Sequence, residues 1–336
     1  MSSRPSTLAH RIRSATVLLG LTAAIGAASP AAAQQTGAAM PAPPCRMATL
    51  VVSGGAGSGT DLVARALADA TARTGMEPPL KVRNIDGGDG VDGARAVLEA
   101  SGDGCTMLAA HQGLLANFLT WRAPFAWHDF RHVALLTRTP LALVAPVSAP
   151  FADAEGLLSA ARGGAVRTGV GPGTISEFSL RAMAKAAKID LQYDTIEGGR
   201  DRVAALLAAD IDLAAVPTAL AKRLDATQTV RPIAITDREP SALLPEVATL
   251  RSQGVAFDYA VDLGILLPAS APAALAERLA GDLEKALEDQ QFQRTLSDFD
   301  VRIDFRPLTQ YSIYWENLMA SWREIAEEAG YERSTR

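Results

Sequence analysis

The sequence predicts an α/β protein of two lobes, each a mostly parallel sheet flanked by helices. Three observations carry this. Short apolar, β-branched runs alternate along the chain with segments of helical periodicity. Two segments of one pattern, Gly55-Ala56-Gly57-Ser58-Gly59-Thr60 and Gly169-Val170-Gly171-Pro172-Gly173-Thr174, each end a strand and open a helix, one in each half. The chain is also long enough for two cores, with 336 residues of which 48% are hydrophobic and 21% charged.

The elements follow in order. Arg4, Arg11 and Arg13 precede an apolar run from Ala15 to Ala28 and a small-residue stretch, Ser29-Pro30-Ala31-Ala32-Ala33. This is the pattern of a cleavable secretory signal over 1–33, and the run is shorter than the roughly 20 residues of a membrane span. Residues 34–44 are rich in Ala, Pro, Gly and Gln and read as a flexible leader. Strands are expected at Met47–Val52, Leu80–Ile85 and Cys105–Ala110. Helices are expected from Asp61, with Leu62, Val63, Ala66, Leu67 and Ala70 as its stripe, and over Ala94–Ala100. Two strands, Arg131–Thr137 and Leu141–Ala145, lead to a second set at Ala165–Val170, Leu191–Ile196, Ile211–Val216 and Ile233–Thr236. A helix runs from the second glycine loop to Ala187, and Gly198–Ala209 forms a loop and helix. Val261–Leu267 is the last apolar strand. Leu275, Leu279, Leu283 and Leu287 then mark one helix, and Tyr311, Trp315, Leu318, Trp322 and Ile325 the core stripe of another.

Composition narrows the function. Loss of the three signal arginines takes the net charge from −5 to −8, so no basic surface for nucleic acid is expected. Four His and two Cys leave little for metal clusters. His128 and His132 imitate a zinc-helix spacing, but Pro124 precedes them and strand residues follow. Cys105 with His111 is a conceivable nucleophile and base, against the simpler reading of an ordinary strand cysteine. No nucleophile elbow is present, and neither glycine loop has the P-loop lysine or dinucleotide spacing. No catalytic residue, metal or cofactor is therefore expected. In a sheet of order 2-1-3, Cys45 and Cys105 fall at the same end of neighbouring parallel strands, which in an exported protein favours a disulfide.

The glycine loops carry the chemistry. Glycine permits close backbone approach, and free N–H groups at a helix start favour an anion. The alternative is a pair of tight turns with no ligand role. Contacts are expected from Ser58, Gly59 and Thr60 in the first loop and Gly171, Gly173 and Thr174 in the second. His111 and Gln112 are expected as side-chain donors. Asp61 is either a ligand contact or a stabiliser of its own helix.

These residues resemble a known family in register. Gly57-Ser58-Gly59-Thr60-Asp61 with Ala64-Arg65 is similar to the G-G-G-T-D-x-x-A-R start of Bug-type proteins, the extracytoplasmic receptors of tripartite tricarboxylate transporters. Asn84 with Gly87, Gly90 and Gly93, Asp103-Gly104-Cys105-Thr106, Gly198-Gly199, Asp210 to Leu213, Arg231 to Thr236, Leu244 to Thr249 and Gly264 to Pro272 resemble later family segments in the same order. The resemblance implies a type II periplasmic binding protein fold, with lobe 1 over 45–140 plus 260–336 and lobe 2 over 141–259. It also implies a small organic ligand, mostly a carboxylate in the family, held between the lobes and presented to membrane transporter subunits; the acidic departures from the family pattern add a zwitterion as the other ligand class, and a monomer is expected. A periplasmic sensor feeding a sensor kinase, or an exported α/β enzyme, are the alternatives. The family pattern is broken at Ser53 and Gly54, at Cys105, at Glu177, at Glu197 and at Asp262. If Asp61, Glu177, Glu197 and Asp262 all face the cleft, their charge favours a ligand with a cationic or donor group over a polyanion.

Overall fold

The computed structural model describes residues 44–164 and 166–331. The expected signal 1–33 and all but the last residue of the leader lie outside the described residues. The elements are β1 (Ala48–Val52), α1 (Gly59–Arg73), β2 (Leu80–Asn84), α2 (Val91–Leu98), β3 (Thr106–Ala110), α3 (Gly113–Leu119) and β4 (Phe130–Pro146). They continue as α4 (Ala154–Arg162), β5 (Arg167–Val170), α5 (Ile175–Ala187), β6 (Gln192–Thr195), α6 (Gly199–Leu207), β7 (Ala214–Pro217), α7 (Thr218–Asp225) and β8 (Val230–Ile235). The chain then closes with β9 (Ala260–Pro268), α8 (Ala273–Leu287), α9 (Gln290–Asp298), β10 (Arg302–Pro307) and α10 (Leu308–Glu328).

The first sheet has the order β10-β4-β9-β3-β1-β2. The three strands of the β/α alternation, β2, β1 and β3, are parallel. The chain leaves this sheet through β4 and returns through β9 and β10; β9 runs antiparallel to both β3 and β4, and β10 antiparallel to β4. The parallel share is thus smaller than expected, because the strands that return from the second half run against those that left. Strands buried on both faces need apolar residues at every position. In β1, Leu50 and Val52 pack with α1 and α8 on one face, while Val51 packs with Leu108, Leu135 and Trp315 on the other.

β4 links the two sheets. Residues 130–140 pair with β9, and residues 141–146 pair antiparallel with β7 and β8. Two strands were expected here, and the structure has one of 17 residues. Pro140 lies where β4 exchanges one set of partners for the other, so its missing N–H falls at a change of ladder. β5 and β6 form a parallel pair, joined to the segment before β7 by a bridge from Thr168 to Leu213. The connection from β8 back to β9 touches β4 as well, with Thr236 N donating to Leu141 O and Tyr259 N to Thr236 O, both at 2.9 Å.

Cys45 and Cys105 are joined by a disulfide. They flank the starts of β1 and β3, which are parallel neighbours in the register Thr49 to Thr106.

Candidate functional site

The first glycine loop is held from inside. Ser58 caps α1, its hydroxyl accepting from Asp61 N at 3.3 Å. Gly57 has φ +80°, a conformation glycine adopts without penalty. Its N–H donates to Asp61 Oδ2 at 2.8 Å. The same carboxylate accepts from Arg65 Nε at 3.0 Å and from Asn84 Nδ2 at 2.9 Å, and Asn84 also donates to Gly54 O. Asp61 is 2% exposed. Burial alone would raise its carboxyl, yet the donors Arg65, Gly57 and Asn84 hold it below the usual carboxylate range.

The second loop repeats the device. Gly173 has φ +71°, and its N–H donates to Glu177 Oε2 at 2.8 Å. Arg181 Nε donates to Glu177 Oε1 at 2.9 Å, and the Tyr331 hydroxyl donates to Oε2 at 2.8 Å. Thr174 Oγ1 closes the turn on Gly171 O at 2.7 Å. In both loops an acid four residues after the glycine takes its N–H, and an arginine four residues further holds the acid.

Both loops open onto a cleft with two adjoining compartments. One, of about 640 Å³, is lined by Ser58, His111, Gly171, Thr174, Glu197 and Arg202, among others. The other, of about 750 Å³, is lined by Gly57, Ser58 and Gly59 on one side and by Ser176, Arg202 and Val216 on the other. Ser58 and Arg202 border both. The starts of α1 and α5 thus converge on one space. His111 Nδ1 accepts from Gly113 N at 3.0 Å, and burial pushes the imidazole below its ordinary value, so the neutral ring carries its proton on Nε2.

Several expected contacts lie elsewhere. Asp61 and Glu177 line neither compartment, because their carboxylates turn back onto their own loops. Thr60 borders only a small recess beside Ser53 and His111. Gly173 lies against Thr120, where a β-carbon would meet the Thr120 hydroxyl at 3.1 Å. Gln112 is fully buried, with Nε2 donating to Ala260 O at 2.5 Å and Oε1 accepting from Asp262 N at 2.9 Å. Of the four acids expected at the cleft, only Glu197 lines it. Asp86 and Asp89, unforeseen, line the same compartment, and Asp89 is paired with Arg122.

Asp262 belongs to a buried charge cluster where the two sheets meet. Arg138 of β4 approaches Asp258 at 2.9 Å, Asp237 at 3.6 Å, Asp304 at 3.7 Å and Asp262 at 3.8 Å. The Tyr314 hydroxyl donates to Asp262 Oδ2. Burial pushes the Asp262 carboxyl up to about 7, against the pull of Arg138 and the Tyr314 hydrogen bond.

Arg202 was not foreseen. It lies in the first turn of α6, and its Nη1 donates to Ile196 O at 3.1 Å. It carries no motif of its own. The available signal was its position, three residues past the Gly198-Gly199 pair at a helix start.

Residues 63–331 match the family described as "TctC: Tripartite tricarboxylate transporter family receptor". The chain belongs to this family. The receptor is 27% identical over 266 residues to the UPF0065 protein in the tcbD-tcbE intergenic region of a Pseudomonas species, covering 77% of this chain and 79% of that one. Two solved structures from Rhodopseudomonas palustris share the two-lobed fold. MatC, with bound malate, has a TM-score of 0.68 at 23% identity, covering 86% of this chain and 100% of that one. A second protein, with adipate, has a TM-score of 0.73 at 22% identity, covering 85% and 98%.

The remaining sequence candidates have other places in the receptor. The disulfide leaves Cys105 no thiol to pair with His111. His132 is packed against Tyr311 and Trp315, its Nδ1 lies 3.1 Å from Ser312 Oγ, and burial lowers its pKa to about 4. Among the described residues, no His, Cys, Asp or Glu group forms a cluster of three around a metal position.

Proposed function

We propose that this receptor captures a small organic carboxylate in the cleft between its lobes and presents it, without chemical change, to the membrane subunits of a tripartite tricarboxylate transporter. The observation that carries this is the convergence of the α1 and α5 starts and the Arg202 guanidinium on one cavity. Helix N-termini and an arginine together form an environment for a carboxylate. The direct contacts in this reading are Ser58, Gly59, His111, Gly171, Thr174 and Arg202, with Glu197 facing a donor group of the ligand.

The lobes are residues 45–140 with 260–336, and residues 141–259. They close about the crossings at Pro140 and Ala260, as hinged binding proteins do. The signal pattern over 1–33 supports export to the periplasm, where the protein acts as a monomer. The malate and adipate bound by the Rhodopseudomonas proteins support the carboxylate class.

Thermal-shift measurement and titration calorimetry with malate, adipate and other small acids test the reading. Ligand at about 100 times its Kd stabilises the folded state by about 2.7 kcal/mol. A panel of carboxylates in which none raises Tm or releases heat would overturn it.

A further inference from the structure

The two compartments of the cleft differ in chemistry. The carboxylates Asp86, Asp89 and Glu197 line only the smaller one. The larger one is lined by Arg200, Arg202 and Arg223, of which Arg202 also borders the smaller, and has no carboxylate among its lining residues. Its walls are apolar, built from Leu141, Leu180, Val216, Leu220, Tyr259 and Val261. The loop facing these walls has no side chain at Gly57 or Gly59, and a β-carbon at either would meet nothing within 4 Å. The loop therefore leaves the compartment open.

We propose that the ligand is an amphiphilic carboxylate, with its anionic head against Arg202 and the loop amides and an aliphatic or single-ring body in the larger compartment. This rests on the carboxylate-receptor reading above and narrows it. A cavity of about 750 Å³ falls within the roughly 300–1,000 Å³ range that encloses drug-sized ligands. A short, wholly polar acid leaves the apolar walls in contact with water, whereas an apolar body covers them. Arg200 and Arg223 line the larger compartment alone and Arg202 stands at its boundary with the smaller, which suits an acid whose negative head lies at Arg202 and whose body carries no positive charge. The planar guanidinium faces also stack on rings.

The test is calorimetric titration of the whole mature protein with straight-chain monocarboxylates from butanoate to octanoate, alongside benzoate, cyclohexanecarboxylate, malate and adipate. Affinity is expected to rise roughly fourfold per added methylene until the compartment is full. Octanoate then binds about two orders of magnitude more tightly than butanoate. Ala215→Phe on β7 fills the compartment and is expected to reduce that ratio at least tenfold. Leu220→Phe on α7 is a second filling variant, and circular dichroism reports whether each has folded. A flat or falling series in the native protein, with malate or adipate binding more tightly, overturns the amphiphilic assignment and leaves the carboxylate receptor standing. Failure of every acid to bind overturns both.

Discussion

The Asp61 carboxylate lies 2.8 Å from the Gly57 amide and holds the first glycine loop from beneath. Glu177 stands in the same relation to Gly173, also at 2.8 Å. Each acid takes one loop N–H, and Ser58 N and Thr174 N also donate within their own loops, to Gly55 O and Gly171 O. The loops are fixed before ligand arrives, which lowers the ordering cost of binding.

Asp61→Asn is expected to destabilise the protein by about 1–3 kcal/mol, because a charge-assisted set of three donors is replaced by a neutral partner. The pH dependence has a definite sign. The folded Asp61 pKa lies below the unfolded value of about 3.9, so its contribution is complete above that pH and is lost as the pH falls. Denaturant melts at pH 3 to 6 check this. The difference between native and variant protein should shrink toward the acid end. A difference that does not change with pH would remove the carboxylate from the account.

Arg202→Gln is expected to weaken carboxylate binding about 10- to 100-fold, the range for loss of a charged hydrogen-bond partner. Its effect on Tm should be small, since among the described residues the Arg202 side chain makes a single hydrogen bond, to Ile196 O. Calorimetry with any acid the native protein binds provides the readout. Unchanged affinity would place the anionic head elsewhere in the cleft.

The disulfide between Cys45 and Cys105 closes a loop of 60 residues that contains β1, α1, β2 and α2. A bridge of that span contributes about 2–4 kcal/mol, chiefly by limiting the unfolded chain. The double variant Cys45→Ala, Cys105→Ala should melt several degrees lower, and reductant should lower Tm of the native protein but not of the variant. Equal melting of the two proteins without reductant would show that the bond adds no stability.

Much of this architecture is legible in the sequence because apolar periodicity reports burial directly. Leu275, Leu279, Leu283 and Leu287 lie on the buried face of α8, and the order β2-β1-β3 places the two cysteines together. Some of the elements that escaped have little apolar surface, while α3, α4 and α7 are runs of seven, nine and eight residues, too short to show a full helical stripe. β10 reads Arg302-Ile303-Asp304-Phe305-Arg306-Pro307 and pairs only at the edge of its sheet, and α9 buries only Phe292 and Leu296. At the site, residue types were easier to find than directions. Asp61 was expected either to meet ligand or to stabilise its own helix, and Glu177 to meet ligand; each has an arginine four residues on, at Arg65 and Arg181, and that spacing puts acid and base on one helix face. The repeated glycine, acid and arginine at four-residue intervals was the available sign that the acids face the scaffold. Arg202 had no such pattern, because its role depends on which sheet its helix caps.

The charge cluster around Arg138 gives a last prediction. Asp262 faces Arg138 of β4, Gln112 before α3, Tyr314 of α10, and Asp304 and Arg306 of β10, while Asp237 and Asp258 of the crossing segment share Arg138. Its folded pKa of about 7 lies above the unfolded value of about 3.9. The folded state therefore holds a proton that the unfolded chain releases, and stability from this group falls as the pH rises from about 4 to about 7. Buried His132, with a folded pKa of about 4, contributes the opposite slope over nearly the same range, so a pH profile of the native protein alone mixes the two. Asp262→Asn separates them, since it keeps a polar partner for Gln112 and Tyr314 but cannot ionise. The native protein should lose Tm relative to this variant as the pH goes from 4 to 7, with a constant difference above 7. A constant difference across the whole range would mean that Asp262 is ionised throughout and that Arg138 outweighs its burial.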